Sequence, residues 1–163
     1  MNKIGKIKIA LCALTIMLCL CACGESEDIK NDIAVDTLAD TVAAAAEKTD
    51  SMIKRDESYV QGFMRMDVSA YEGFAVLINA YGANIDEFGI FKGSADQIKD
   101  IEAAVNDYLK LRLDTWMEEY MPEEKPKLTS AEVKTVGNYV MYCILSEDDA
   151  KAAFEAFENS LKK

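Results

Sequence analysis

The chain has 163 residues, half of them hydrophobic and 29% charged, with 18 Lys and Arg against 29 Asp and Glu for a formal net charge of -11. That length suggests one globular domain with a real core, and two prolines are too few for an extended or disordered array. So acidic a balance repels phosphate backbones, whose binding needs clustered Lys and Arg, and no nucleic acid partner is expected.

The N-terminus reads as an export signal. Lys3, Lys6 and Lys8 form a basic start, and residues 9–20 follow as 12 uncharged, mostly apolar positions. A spanning helix needs about 20 residues, so this run is too short to be a permanent anchor by itself. It leads into Leu20-Cys21-Ala22-Cys23, which resembles the bacterial lipobox; Leu20, Ala22 and Cys23 match it, and Cys21 is small and apolar where other small residues are commoner. The resemblance implies cleavage before Cys23 and a diacylglyceryl group on its thiol. Two acyl chains anchor a protein stably, whereas one binds reversibly.

The expected division is therefore a lipoprotein signal peptide at residues 1–22, lipidated Cys23 with an acidic tether to residue 32, and one domain over residues 33–163. The expected location is the extracytoplasmic face of the cell membrane, with the membrane a partner only through lipid on Cys23. Removal of the three leader lysines leaves 15 basic residues against 29 acidic, a net of -14. Such a domain should stand off an anionic bilayer. Of five cysteines (Cys12, Cys19, Cys21, Cys23 and Cys143), only Cys143 remains free after processing, so no internal disulfide is available. Its apolar neighbours Tyr142 and Ile144 mark it as a core residue with a protonated thiol.

Within the domain, Ala34, Leu38, Val42, Ala45 and Ala46 recur at helical spacing and predict a helix over residues 33–49, capped by Asn31 or Asp32. A weaker helical stretch starts near Asp56, with Tyr59, Val60, Phe63 and Met64 on one side and Gly62 against it. Residues 75–79 and 88–92 predict two strands, joined as a hairpin by Tyr81-Gly82-Ala83-Asn84. Ser94-Ala95-Asp96-Gln97 fits a capping box, and the apolar spacing from Ile98 through Trp116 to Tyr120 predicts a long helix stopped by Pro122. Pro122 and Pro126 mark a stiff crossover linker. Residues 132–136 predict a strand, Gly137-Asn138 a hairpin turn, and residues 139–145 a strand so apolar that both its faces should be covered. Ser146 caps a last helix, with Ala150, Ala153, Phe154, Phe157 and Leu161 as its buried stripe. The expected fold is α+β: a four-stranded antiparallel sheet built from two ββα units, helices on one face, preceded by an N-terminal helix.

The chain resembles a family of small, uncharacterised Gram-positive lipoproteins classed as a domain of unknown function. The carrying residues are the lipobox, Phe88-Gly-Ile-Phe-Lys92 running into the Ser94 helix, Tyr120-Met-Pro122, Pro126-Lys-Leu128, Val136-Gly-Asn-Tyr-Val140 and Ser146-Glu-Asp-Asp149. The resemblance implies no catalytic or binding residue.

Several chemistries lack their parts. The chain has no His, which removes Ser–His–Asp and Cys–His catalysis and His-based zinc sites. No phosphate-cradling glycine loop occurs. The run from Asp67 to Glu72 misplaces the glycine a calcium loop needs, and Glu147, Asp148 and Asp149 read as helix-start acids rather than ligands. Paired carboxylates able to hydrolyse glycosides have no specific signal among so many acids. Trp116, Tyr120, Tyr139 and Tyr142 would line a ligand groove, but their spacing is that of a core. No cofactor, metal or catalytic residue is expected. The expected function is a non-enzymatic binding or interaction module of the cell envelope, its partner an envelope protein or wall component. The alternatives are a small-ligand subunit of a transporter or sensor, marked by a deep polar pocket, and a carboxylate-based envelope hydrolase.

Overall fold

The computed structural model describes residues 28–82 and 84–163. The expected signal peptide and the lipobox residues Leu20, Cys21, Ala22 and Cys23 lie outside the described residues. In chain order the elements are α1 (Val35–Ala45), β1 (Met52–Arg55), a one-turn α2 (Glu57–Tyr59) that runs on as a π turn (Val60–Met64), β2 (Gly73–Asn79), β3 (Glu87–Lys92), α3 (Ile98–Asp114), α4 (Lys125–Thr129), β4 (Glu132–Val136), β5 (Tyr139–Ile144) and α5 (Glu147–Leu161).

The sheet is antiparallel and has five strands, in the order β1-β2-β3-β5-β4, rather than the four expected. The extra strand, β1, pairs with β2 from Met52↔Asn79 to Arg55↔Val76. It is a short edge strand carrying Lys54 and Arg55, and charged residues are how edges avoid further pairing. That chemistry hides it from a search for apolar runs. Both expected hairpins form. In the second, Gly137 supplies the positive φ (+55°) at the first turn position, and Val136 pairs with Tyr139. The hairpins join through β3 and β5, with Phe88 opposite Cys143 and Phe91 opposite Val140.

Helices cover both faces of the sheet, not one. Ala75, Phe88, Ile90, Met141 and Cys143 face α1 and α5, where Leu38, Val42, Phe154 and Phe157 complete one core. The alternate residues Val76, Phe91, Val140, Tyr142 and Ile144 face α3, α4 and the π turn, with Ile101, Val105, Tyr108, Leu128 and Val60. Every residue of β5 is buried. A strand apolar at successive positions exposes one apolar side unless both layers exist, so the one-face arrangement was incompatible with its own central strand. The two ββα units therefore send their helices to opposite faces, and their likeness in element order is not a symmetry.

Three boundaries differ from expectation. The N-terminal helix covers Val35–Ala45 without a side-chain cap; the Asn31 Oδ1 expected to cap it instead accepts from Asn138 N at 3.1 Å. α3 ends at Asp114, and the Thr115 hydroxyl bonds back to the Leu111 carbonyl at 2.7 Å. Beyond it Trp116 still packs against the α3-side core, while Met117 and Tyr120 are exposed. The proline linker contains α4, with Pro126 in its first turn, where the missing N–H costs no bond. The Gln97 half of the capping box forms, its Oε1 accepting from Ser94 N at 2.9 Å, and Ser146 caps α5 by accepting from Asp149 N at 3.3 Å.

Residues 28–32, the second half of the expected solvated tether, are docked. Lys30 N donates to Leu161 O at 2.8 Å and Lys163 N to Asp28 O at 3.0 Å, so the segment runs antiparallel to the C-terminus. Ile29 packs at the edge of the α1–α5 core. One isoleucine within an otherwise polar run was the only apolar signal available for this contact.

Candidate functional site

β3 is entered through two acidic residues, Asp86 and Glu87, which are 3% and 2% exposed. Strand alternation sends them to opposite faces. At the end of the sheet, just ahead of β3, Asp86 accepts from Lys127 Nζ of α4 at 2.7 Å and pairs with Lys48 Nζ at 3.2 Å. Lys48 also reaches Asp149 at 3.1 Å, and Lys127 reaches Glu124 at 2.8 Å. Burial works against the charge on both lysines, but the facing carboxylates outweigh it and raise their pKa values. This group ties the β2–β3 loop to α4 and to the start of α5.

On the α3 side of the sheet, Glu87 Oε1 accepts from the phenols of Tyr108, at 2.6 Å, and of Tyr142. Its Oε2 accepts from Arg112 Nη1 at 2.6 Å, and the same nitrogen donates to Tyr108 Oη at 2.7 Å. Gly89 makes room for this. A Cβ there would stand 2.4 Å from Tyr142 Cε1, so only glycine lets that ring lie over β3 toward Glu87. Burial and the Glu87 charge push the Tyr142 and Tyr108 phenols well up, so both remain proton donors. For Arg112 burial opposes the charge, and Glu87 with Tyr108 more than restores it.

Outside this buried group, rings of α2 and the π turn stack with the guanidinium groups of Arg55, at the end of β1, and Arg112, on α3. Arg55 Cζ sits 4.4 Å from the Tyr59 ring centre, Tyr59 stacks on Phe63 at 5.0 Å, and Arg112 Cζ lies 5.7 Å from Phe63. Phe63 is nonetheless 50% exposed. Burial, with the Glu87 charge, pushes the Tyr59 phenol up to about 12. The π turn closes on Arg65, which adopts the left-handed conformation (φ 60°, ψ 32°) while Met66 N returns to Val60 O at 3.2 Å. Glycine normally holds such a closing position, and a side chain there costs about 1 kcal/mol. The Arg65 guanidinium has no hydrogen-bond or ion-pair partner among the described residues. The chain contains three arginines, Arg55, Arg65 and Arg112, and all three border this one turn. Between the turn and α3 opens a cleft of about 220 Å³ lined by Gly62, Phe63, Arg65, Leu111, Arg112 and Thr115. Arg65 also lines a neighbouring depression of about 410 Å³ with Met64, Asp107 and Tyr108.

A larger groove, about 700 Å³, lies between the β4 edge and α5. Lys134 pairs there with Glu158 at 2.7 Å and lies 4.8 Å from the Phe154 ring centre, and the other charged lining residues, Glu132, Glu147, Lys151 and Glu155, leave the groove net acidic. The groove is bigger, and left-handed backbone also occurs at Glu47 and Met121, but at Arg65 it coincides with the arginine-lined cleft, and this coincidence marks the candidate site.

The residues weighed from sequence do not assemble. Tyr139 and Tyr142 are buried on opposite faces, with Tyr139 Oη donating to Ile33 O at 2.7 Å. Trp116 is half-buried and Tyr120 is exposed. Cys143 is buried and free in the α1–α5 core, where burial pushes its thiol up. Asp67 accepts from Ser69 N at 3.0 Å in a local turn. Among the described residues no three metal-ligating side chains gather. Sequence reasoning missed Asp86, Glu87, Arg65 and Arg112. The available signals were an acidic pair directly ahead of an apolar strand, and the scarcity of Arg beside Lys.

Fold and site together define an α+β domain with helices on both faces of an antiparallel sheet, a saturated acidic pair at its centre and an arginine-lined cleft at its rim. The chain belongs to the family described as Domain of unknown function (DUF4358), whose model matches residues 44–145. That interval holds all five strands, the π turn and α3, and leaves out α5 and nearly all of α1. No curated protein and no solved structure matches the chain.

Proposed function

We propose that the protein is a lipoprotein held by Cys23 at the extracytoplasmic face of the membrane, and that its domain is a non-enzymatic binding module of the cell envelope. The lipobox at Leu20, Cys21, Ala22 and Cys23 supports the anchor. No described helix is long and apolar enough to cross a membrane. Asp28 is docked and lies five residues after Cys23, so the chain between them can span at most about 17 Å. The domain would thus sit close over the headgroups, not at the end of a long tether.

The observation that carries the binding half is Arg65: an unpaired cation on left-handed backbone, beside a half-exposed Phe63, in a chain of strong negative charge. Strained residues of this kind cluster at ligand sites. Against a carboxylate hydrolase stands the saturation of Asp86 and Glu87, whose oxygens are taken by lysines, phenols and an arginine. The second reading, a small-ligand subunit, draws on the same cleft, but a single lobe offers no closure around a solute.

The test is in two parts. Mass spectrometry of the mature protein should find diacylglyceryl on Cys23, and Cys23→Ala should leave the membrane pellet; an unmodified Cys23 would refute the anchor. Envelope partners cross-linked to the anchored wild type should be lost from Phe63→Ala and Arg65→Gln chains of equal abundance. Equal recovery from all three would refute the cleft as the binding surface.

A further inference from the structure

We infer that the cleft between the π turn and α3 binds a carboxylate carried on a flat apolar group, Arg65 and Arg112 taking the carboxylate and Phe63 and Leu111 the apolar part. This rests on the binding-module reading and names the ligand chemistry of the same site.

Charge selects the anion. The two charged residues lining the cleft are both arginines. Glu87, bonded to Arg112 behind the cleft, cancels one of the two, so the three groups sum to a single positive charge. A monoanion neutralises that sum; a dianion would overshoot it in a partly buried site.

Geometry selects the carboxylate. Both hydrogen bonds of Arg112, to Glu87 and to Tyr108, leave through Nη1. Nε and Nη2 keep their N–H groups for a guest, and the planar fork of a guanidinium matches the two oxygens of a carboxylate. Glu87 and Tyr108 also hold Arg112 in place beforehand, which lowers the ordering cost of binding. Arg65 is the outer partner, exposed and without a partner among the described residues, projecting from a turn whose backbone glycine would suit better.

Size selects the remainder. A cleft of about 220 Å³ is at or below the small end of ligand pockets, roughly 300–1,000 Å³, so it takes about one ring. Phe63 stands half-exposed, stacked on Tyr59, with an edge to Tyr108 and the Arg112 guanidinium 5.7 Å from its ring centre, so a planar guest that meets Arg112 also meets Phe63.

The chain's single tryptophan, Trp116, follows the cleft residue Thr115 and serves as the reporter. The full chain in detergent is titrated with benzoate, acetate and inorganic phosphate, following Trp116 fluorescence and heat. Benzoate should bind saturably and displaceably, with acetate and phosphate each at least tenfold weaker. Arg65→Gln should weaken benzoate at least tenfold without lowering the melting temperature. Arg112→Lys, which keeps a charge beside Glu87 but loses the fork, should also weaken it, and Lys151→Gln in the β4–α5 groove should not. Absence of saturable benzoate binding in the folded wild type overturns the inference, as does full-strength binding by Arg65→Gln. Acetate equal to benzoate overturns the apolar half, and phosphate equal to benzoate overturns the carboxylate. Anchoring is scored separately by the membrane pellet, so a correctly anchored, folded chain that ignores benzoate counts against this ligand and not against the lipoprotein.

Discussion

Glu87 and Arg65 both border Arg112, and they are opposites in every physical respect. Glu87 is buried on regular strand backbone, with two phenols and a guanidinium on its oxygens. Arg65 is exposed on left-handed backbone with no partner among the described residues. A buried carboxylate persists only when its neighbours replace water completely, so its surroundings are built for the fold. An unpaired side chain at a position better suited to glycine contributes nothing evident to the fold, so its retention points outward. Within one cluster the structure thus separates a supporting half from a presenting half.

The comparison breaks most readily on stability. Glu87→Gln leaves the Arg112 guanidinium without its counter-charge and should cost on the order of 3 kcal/mol, since removing one partner of a buried pair strands the other. Arg65→Gln should stay within about 0.5 kcal/mol, as for an ordinary surface change. Urea midpoints measure both, and similar losses would erase the distinction between the two halves.

How much of this was legible in the sequence follows from the same distinction. Strands β2, β3, β4 and β5, both hairpins, α3 and α5 announce themselves by apolar periodicity, because their partners are other apolar faces. β1 does not, because an edge strand with Lys54 and Arg55 gives no apolar run. The coverage of both faces was legible in residues 139–145 and conflicted with the one-sided fold drawn from element order. The Glu87 group was illegible because its members, Glu87, Tyr108, Arg112 and Tyr142, meet only through the β3–β5 pairing and the packing of α3. Arg65 was illegible because positive φ at an arginine has no sequence signature; Gly62 counted against a regular helix there without revealing how the turn closes.

Alkaline titration sharpens the buried half. Tyr108 and Tyr142 have folded pKa values raised above 10.0, and Cys143 above 9.0. For groups raised on folding, the unfolded chain releases protons that the native chain keeps. Their stabilisation is complete below the unfolded pKa values and is lost as pH rises through and beyond them. Between pH 8 and pH 10 the three groups should together lose about 2 kcal/mol, the thiol contributing most because its unfolded pKa is lowest. Denaturant midpoints across that range check the sign. A flat profile would mean that water reaches these groups in the native state.

The docked N-terminal segment extends the same logic to a third region. Deleting residues 28–30 removes two backbone hydrogen bonds to the C-terminus and the packing of Ile29, and should cost about 1–2 kcal/mol. A melting temperature unchanged by the deletion would return these residues to the solvated tether.

The smallest expected change tests the presenting half most directly, because it should run in the opposite direction. Arg65→Gly relieves a left-handed residue of its Cβ, a gain of about 1 kcal/mol, partly offset by the greater freedom glycine gives the unfolded chain. The net result should be a native state more stable by about 0.5 kcal/mol, read as a higher urea midpoint at unchanged slope. Arg65→Ala provides the control. It removes the guanidinium but keeps the Cβ, so it should leave the midpoint where it was. If the residue serves the cleft, both variants lose benzoate to the same degree, and the glycine variant is then a more stable protein that binds less. That pairing is the signature of backbone strain kept for a binding role, since selection for stability alone would favour glycine. A glycine variant less stable than wild type would show instead that the Arg65 side chain supports the turn, and the separation between the two halves of the cluster would fail at its outer member.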